Sequence, residues 1–400
     1  MEKVDFLVVG CGPAGATAAR EAARRGLETV VLEKDAVVGA KRVCAAGLRP
    51  GFCRTFDLSH ELVHCDTPRL ALFDANGTEH EIFFGPGHTS TREELDGTIA
   101  RLAVREGAQV RTQALFRRAR GEGKLTIIEY ADLAAGVRRR IAARNLFLAA
   151  GATAQPPEAF ASPQWRAGLM TTLQYRIYLE RPAAGVAYRT LELHYYNAPD
   201  GRQIVGWMFP KRDHLAVGLG LLGKMPGRQL RAELEAFECR VRSRLYPAVP
   251  IRSIKEEGHL LYGGAPRAVF AHGNVMIGGT AAGLVDATNG EGIYEAAVSG
   301  RIAAESVSCD RHDPARAAAR YGRVLGARFA KRLKHRAALM RFLERSPDRY
   351  GLLFEQLSAS PRFADVLQKE DWQRSFGDRL YLYGQAMRFA ARSVTFGLSR

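Results

Sequence analysis

Asp5-Phe6-Leu7-Val8-Val9-Gly10-Cys11-Gly12-Pro13-Ala14-Gly15 is the stretch on which the fold turns. Phe6 to Val9 form an unbroken apolar run, the mark of a strand covered on both faces. A G-x-G-x-x-G turn follows at once. Residues 16–25 are alanine-rich and read as a helix stopped at Gly26, and residues 29–33 read as a second strand with Val30, Val31 and Leu32 buried. Strand, glycine turn, helix and strand in that order predict a dinucleotide-binding βαβ unit. Gly10 permits the tight turn, Gly12 lets the backbone approach a pyrophosphate, and Gly15 lets helix and strand pack closely. The helix N-terminus, opened by Pro13 and Ala14, offers N–H groups and a positive dipole end to phosphate. Glu33 closes the second strand, where its carboxylate can accept from ribose hydroxyls; its charge argues against a 2′-phosphate. Lys34, beside it, is counted among the nucleotide contacts.

The chain has 400 residues, which predicts two packed domains rather than one core. Its 46% hydrophobic and 25% charged residues exclude a disordered chain. The net charge of +16 implies attraction to anions such as nucleotides, diphosphates or acidic lipid headgroups. No nucleic-acid motif is present, so no nucleic-acid partner is expected. The six cysteines contain no C-x-x-C pair, so free thiols and no metal site are expected. The start, Met1-Glu2-Lys3-Val4-Asp5, does not read as a signal peptide. No run reaches the roughly 20 apolar residues of a membrane span. The expectation is a cytoplasmic protein, peripheral at most on the inner face of a membrane.

Further segments extend the nucleotide-binding pattern. Thr91-Arg92-Glu93-Glu94-Leu95-Asp96 opens a helix that runs to Glu106, with Gly107 as its stop, and Gln109-Val110-Arg111 reads as a short strand. Leu146-Phe147-Leu148-Ala149-Ala150-Gly151 is a buried strand ending in small residues. Asn274-Val275-Met276-Ile277-Gly278-Gly279-Thr280 repeats that pattern, and Asn289-Gly290-Glu291-Gly292-Ile293 enters another helix.

With Cys44-Ala45-Ala46-Gly47-Leu48 and Gly206-Trp207-Met208-Phe209-Pro210-Lys211, this set resembles the FAD-binding fold of the aromatic hydroxylase superfamily. Within it the chain resembles the geranylgeranyl reductase family, in particular its bacteriochlorophyll and chlorophyll branch. The likeness covers most of the chain; the Trp-x-Phe-Pro segment and the cysteine loop are its family-level signals. The resemblance implies an α/β chain: a Rossmann-like FAD-binding domain of the aromatic hydroxylase type (1–160 and 266–308), an inserted antiparallel-sheet substrate domain (161–265) and a helical C-terminal region (309–400). It implies that Arg92 and Gly151 contact the cofactor and that Val110 meets the adenine through its backbone. It also implies that Gly290, Gly292 and Ile293 bring a helix N-terminus to the flavin ring, where the dipole stabilises the reduced anion. One departure stands out. The family usually has Gly-Asp where this chain has Gly279-Thr280, and a threonine hydroxyl bonds without charge. Weaker FAD binding is the expectation.

Between residues 165 and 265 the pattern changes to strands, at 173–179, 191–196, 203–209 and 214–221, followed by a helix at 228–244. Tyr195, Tyr196, Trp207, Met208 and Phe209 either line an apolar tunnel or pack the sheet. The resemblance favours Tyr195, Trp207 and Phe209 as substrate contacts. Cys44 reads as a buried thiol from its small-residue loop; the resemblance puts that loop beside the isoalloxazine ring and makes Cys44 the candidate catalytic residue. Lys41 and Arg42 make its surroundings electropositive, which suits a thiolate better than a proton donor.

The implied activity is FAD-dependent hydrogenation of isoprenoid C=C bonds of a geranylgeranyl-type chain on a tetrapyrrole ester, a diphosphate or a lipid. No second dinucleotide motif is visible, so NADPH binding transiently or reduced ferredoxin are the candidate electron donors; an acidic redox partner suits the basic surface. A monooxygenase or halogenase on the same scaffold and a non-catalytic binder remain rival readings, although the W-x-W-x-I-P segment of halogenases is missing. Residues 311–345 are dense in arginine and lysine, including Arg320, Arg328, Arg332 and Arg336, with Leu325, Phe329, Leu333, Leu339 and Phe342 at near-helical spacing. Together with a second amphipathic segment at 381–396, carrying Arg388 and Arg392, they read either as helices packed on the core or as docking elements for an anionic membrane.

Overall fold

The computed structural model describes residues 1–40, 43–82, 87–181, 189–346, 348–369 and 373–398. The chain divides into two compact units. The first takes Met1–Cys44, Thr91–Leu169 and Leu260–Ala337; the second takes Ala45–Ser90, Met170–His259 and Ala338–Arg400.

The first unit is built on a parallel sheet. Strand Glu2–Val9 lies between Thr29–Leu32 and Val137–Leu148, with Gln109–Arg111 and Val275–Ile277 outside them. Each of these neighbours runs parallel to the next. Val4, Phe6, Leu7, Val8 and Val9 are all buried, which is why this strand lacks polar alternation. The first helix is Pro13–Ala23 and so begins inside the glycine motif. Proline suits a first helical turn because its missing N–H has no intrahelical acceptor there. Helix Arg92–Arg105 is capped by Thr91, whose hydroxyl accepts from the Glu94 N–H at 3.3 Å.

Two features of this unit went unread in the sequence. Ala114–Glu122 and Leu125–Asp132 form an antiparallel extension that joins the first half of Val137–Leu148. Helix Ile293–Cys309 crosses the first helix so closely that a Cβ at Gly300 would lie 2.1 Å from the Ala14 carbonyl oxygen.

The second unit is built on a seven-stranded sheet in the order Ile251–Tyr262, Leu169–Leu179, Leu215–Leu222, Gln203–Pro210, Thr190–Asn197, Arg69–Phe73, Glu79–Ile82. Helix Gly227–Leu245 covers one face, where Leu230, Leu234, Phe237 and Val241 pack on Ile177, Met208, Val217 and Leu219. A small sheet of Gly47–Leu48, Gly87–Thr89 and Cys65–Thr67 and the helices beyond residue 347 complete the unit. Among the described residues, no helix is long and apolar enough to cross a membrane.

Candidate functional site

Parallel strands end together, so the turns that follow them meet at one edge of the first sheet. Ala149 donates to the Val9 carbonyl at 2.8 Å, which sets the Ala149-Ala150-Gly151 turn against the glycine loop. Gly10 has φ +91° and a Cβ there would lie 2.6 Å from the Ala149 oxygen, so both the conformation and the space exclude a side chain. At Gly15 a Cβ would lie 1.8 Å from the Gly10 oxygen. Helix Pro13–Ala23 has Gly12 as its N-cap with no side-chain bond, which leaves its first N–H groups for an anion.

Glu33 turns back to this loop. Its carboxylate accepts from the Cys11 N–H at 2.7 Å and from the Asp35 N–H at 3.0 Å. The acid therefore fixes the glycine turn as well as standing at the end of the second strand. Burial pushes the Cys11 thiol upward, with Glu33 and Asp96 adding to the effect, so Cys11 stays protonated. Lys34 is exposed and its ammonium lies 2.8 Å from Asp35. Val110 pairs with Val31 on the strand beyond.

Arg92 joins two other predicted residues, Cys44 and Gly12, and brings in Asp96. It is buried, its Nε donates to Asp96 Oδ2 at 2.8 Å, and its guanidinium is hydrogen-bonded to Cys44. Its Nη2 would be 3.3 Å from a Cβ at Gly12. The partner carboxylate of Asp96 offsets the burial of the guanidinium and keeps it charged. Lys41 and Arg42, the cations the sequence placed near Cys44, lie outside the described residues; among the described residues Arg92, 48 positions on, is a cation at Cys44.

The other end of the cradle comes from residues 279–293. Gly279, with φ +56°, opens the Gly279–Ala282 turn, and a Cβ there would touch Ala14 Cβ at 3.0 Å. Thr280 thus sits next to the first helix, half-buried. Helix Ile293–Cys309 has Gly292 as N-cap and again no side-chain bond. Gly290 has φ +73° and donates to the Asp286 carbonyl at 2.8 Å. Asp286 holds this loop: its Oδ1 accepts from Thr288 N–H at 3.0 Å and Thr288 hydroxyl at 2.6 Å, and Arg336 lies 3.4 Å from Oδ2. Burial pushes the Asp286 carboxyl up, but Arg336 and then the Thr288 hydrogen bonds outweigh it and hold the group below its usual range. Behind it Arg332 meets Glu295 at 2.6 Å, both buried. Asp286, Glu295, Arg332 and Arg336 were not read as site residues. Nothing local marks them, because each acid meets its arginine across more than 35 positions.

Two glycine-capped helix ends, a glycine loop with no room for side chains and an acid at the second strand fit an FAD molecule, whose diphosphate needs backbone donors and whose ribose needs a carboxylate.

In the second unit, Trp207 and Phe209 lie on the sheet face opposite helix Gly227–Leu245. Trp207 donates to Gln174 Oε1 at 3.0 Å and lies flat over Gly218, where a Cβ would be 2.4 Å from the indole. Gln174 and Arg176 both bond Glu257, at 3.4 and 3.0 Å, so a buried polar chain runs along this face; the sequence reading missed it. Phe209 covers Gly47, and the buried Lys211 ammonium donates to the Ala45 carbonyl. Tyr195, on the same face, is closed over by Tyr350 at 5.0 Å and Phe354 at 5.1 Å between ring centroids. Met208 packs under the helix and Tyr196 lies against Phe237.

The apolar stripe of residues 311–345 is largely core: Leu325, Phe329 and Leu333 are fully buried, and Arg320, Arg328 and Arg332 are engaged by Asp310, the Tyr294 hydroxyl and Glu295. Among the described residues one group has metal-ligand spacing, His60, Asp66 and His88, with donor atoms within 4.8 Å. His60 and Asp66 are exposed, and His88 Nδ1 is already hydrogen-bonded to Asp66 across paired strands at 2.8 Å.

Comparison with known proteins agrees with this geometry. A family model described as FAD dependent oxidoreductase matches residues 5–75. The chain is 30% identical to digeranylgeranylglycerophospholipid reductase 2 of Methanopyrus kandleri, over 75% of this chain and 76% of that one. It is 27% identical to geranylgeranyl diphosphate reductase of Rhodobacter capsulatus, over 76% and 75%. A geranylgeranyl bacteriochlorophyll reductase-like protein of Thermoplasma acidophilum shares the fold at TM-score 0.78 and 22% identity, over 90% of this chain and 92% of that one. A myxobacterial chondrochloren halogenase shares it at 0.67 and 17%, over 89% and 83%.

Proposed function

The chain belongs to the geranylgeranyl reductase family of FAD-dependent oxidoreductases, and from that premise we propose that it saturates isoprenoid C=C bonds of a geranylgeranyl chain borne on a lipid, a diphosphate or a tetrapyrrole ester. The observation that carries the reading is the relationship to the Methanopyrus reductase, over three quarters of both chains, and the tight glycine loop from Gly10 to Gly15 supports it.

Reduced FAD supplies hydride equivalents when bound. The residues of the chain do the rest. Backbone N–H groups after Gly12 and Gly292, which no side chain caps, would hold the negative charge of the cofactor. Glu33 holds the glycine loop through the Cys11 amide, and Arg92 lies against Gly12 on the same loop. An isolated alkene offers no group to carry a negative charge, so a proton must arrive with or before the hydride, and positive character gathers on the more substituted carbon. One proton and one hydride then balance each saturated bond. Cys44, bound to Arg92, is our candidate for the thiol at the reacting bond. Trp207 and Phe209 are our candidates for the apolar wall against which the prenyl chain lies, with Trp207 fixed in one orientation by Gln174. NADPH or reduced ferredoxin is the proposed electron source.

Anaerobic incubation of the reduced holoprotein with geranylgeranyl diphosphate, a geranylgeranyl tetrapyrrole ester and an unsaturated prenyl ether lipid tests this by mass. The expected result is stepwise gain of hydrogen pairs on one of the three. No gain on any, with an oxygen atom added when NADPH and air are present, would give the site to a monooxygenase instead.

A further inference from the structure

The last helix, Phe376–Leu398, has two faces of opposite character. Successive helical residues turn by about 100°, so Phe376, Leu380, Tyr383 and Met387 fall within an arc of roughly 60°. All four are exposed, from 56% at Met387 to 83% at Phe376. The opposite face carries Asp378, Gln385, Phe389 and Ser393, all buried. That inner face is well seated. Gln356 donates to the Gln385 carbonyl at 3.0 Å, Ser360 and the Tyr381 hydroxyl are 2.7 Å apart, Arg392 meets Glu355 at 2.6 Å, and Phe389 lies edge-on to Phe342. The helix is therefore fixed by one side and presents four large apolar side chains on the other.

Charge decides what covers that face. Arg379 borders the stripe on one side and Arg388 on the other, both exposed, and no acidic residue occurs from Arg379 to Arg400. We propose that this face docks the protein in the plane of an anionic lipid surface, with Phe376, Leu380 and Met387 in the acyl boundary, Tyr383 at the headgroups and the arginines on lipid phosphates. A second copy of the chain is the lesser fit, because two such helices face to face would bring like-charged arginines against each other. The docking stands on the helix alone, so it is independent of which prenyl bond is reduced.

The test is cosedimentation of the FAD-loaded full chain with vesicles of phosphatidylcholine, with or without phosphatidylglycerol. Binding is expected to the mixed vesicles, weak binding to phosphatidylcholine alone, and release by salt, since exposed charges are screened beyond about 10 Å at moderate ionic strength. The double change Leu380→Ser with Met387→Ser should weaken partitioning roughly tenfold or more while leaving the flavin absorbance unchanged. As a second measurement, Tyr383→Trp should give indole emission that shifts to the blue on the mixed vesicles. Failure of the wild-type chain to bind the mixed vesicles, or serine variants that bind as well as wild type, would overturn the proposal. So would a dimer that the serine changes dissociate in the absence of vesicle binding, which would assign the face to a second copy.

Discussion

Gly15 has the least room of any residue in the cradle, because an added Cβ falls 1.8 Å from the Gly10 oxygen and 3.1 Å from Val8 Cγ1. Neither neighbour is a flexible side-chain tip. Gly15→Ala must move the loop or the helix, at a cost of about 1–3 kcal/mol. The expected outcome is a protein purified with little bound flavin and a lowered melting temperature, read from absorbance per chain and thermal unfolding. Thr280 is the converse case, since it stands where the resemblance implies an aspartate. Restoring the usual carboxylate with Thr280→Asp should tighten FAD binding by about tenfold, the order of one charge-assisted hydrogen bond. Equilibrium dialysis of FAD checks it, and equal or weaker binding would show that threonine is no loss. His214 carries a pH signature. Burial lowers its pKa to about 4 despite the Asp213 carboxylate at 2.7 Å. The unfolded imidazole, near 6.5, binds more protons than the folded one between these values. Stability is thus fully present above about pH 6.5 and falls as pH drops towards 4, by up to roughly 3 kcal/mol. Denaturant midpoints across that window should show the loss, and His214→Gln should remove this part of it.

At the scale of elements, helix Ile293–Cys309 and the segment around residue 332 are tied by a charged pair with almost no exposure. Removing one member of such a pair costs more than removing both, because a lone buried charge is the expensive state. Arg332→Met should therefore destabilise by about 3–5 kcal/mol, and the double change Arg332→Met with Glu295→Gln by clearly less. A urea series on the four members of the cycle measures this; equal losses in single and double variants would mean that the pair contributes only by packing. The same pair shows where sequence reading stops. Arg320, Arg332 and Arg336 look like one solvated basic face, yet the helices turn them to Asp310, Glu295 and Asp286. By contrast, the helix that does expose an apolar stripe places it at Phe376, Leu380, Tyr383 and Met387. Amphipathic periodicity identifies an apolar side of a helix but not whether another helix lies on it.

For the molecule as a whole, the cradle we propose for FAD draws its parts from residues near 10, 33, 92, 150, 280 and 292, so a cofactor held there would bridge segments that are distant in the chain. A ligand that binds only the folded state stabilises it by mass action, by about 2.7 kcal/mol at a hundredfold excess over Kd. Flavin-stripped protein should melt lower than holoprotein, and its midpoint should climb with added FAD. A midpoint indifferent to FAD would mean that the cradle is not its binding site.

What the sequence by itself determined is the βαβ cradle and the family. The signal for both is compact: the glycine spacing, the apolar run before it and Glu33 all fall within 33 residues, and each is set by local backbone geometry. The sheet strands at 203–209 and 214–221 were legible for the same reason, since alternation and breakers act within a few residues. Tertiary structure alone decided that Arg92 stands between Gly12 and Cys44, that Glu33 closes back on the Cys11 amide, that Gln174 orients Trp207, and that Tyr195 lies under Tyr350 and Phe354. These depend on which chain segments pack side by side, and a charge or an aromatic ring carries no mark in sequence of the partner it will meet.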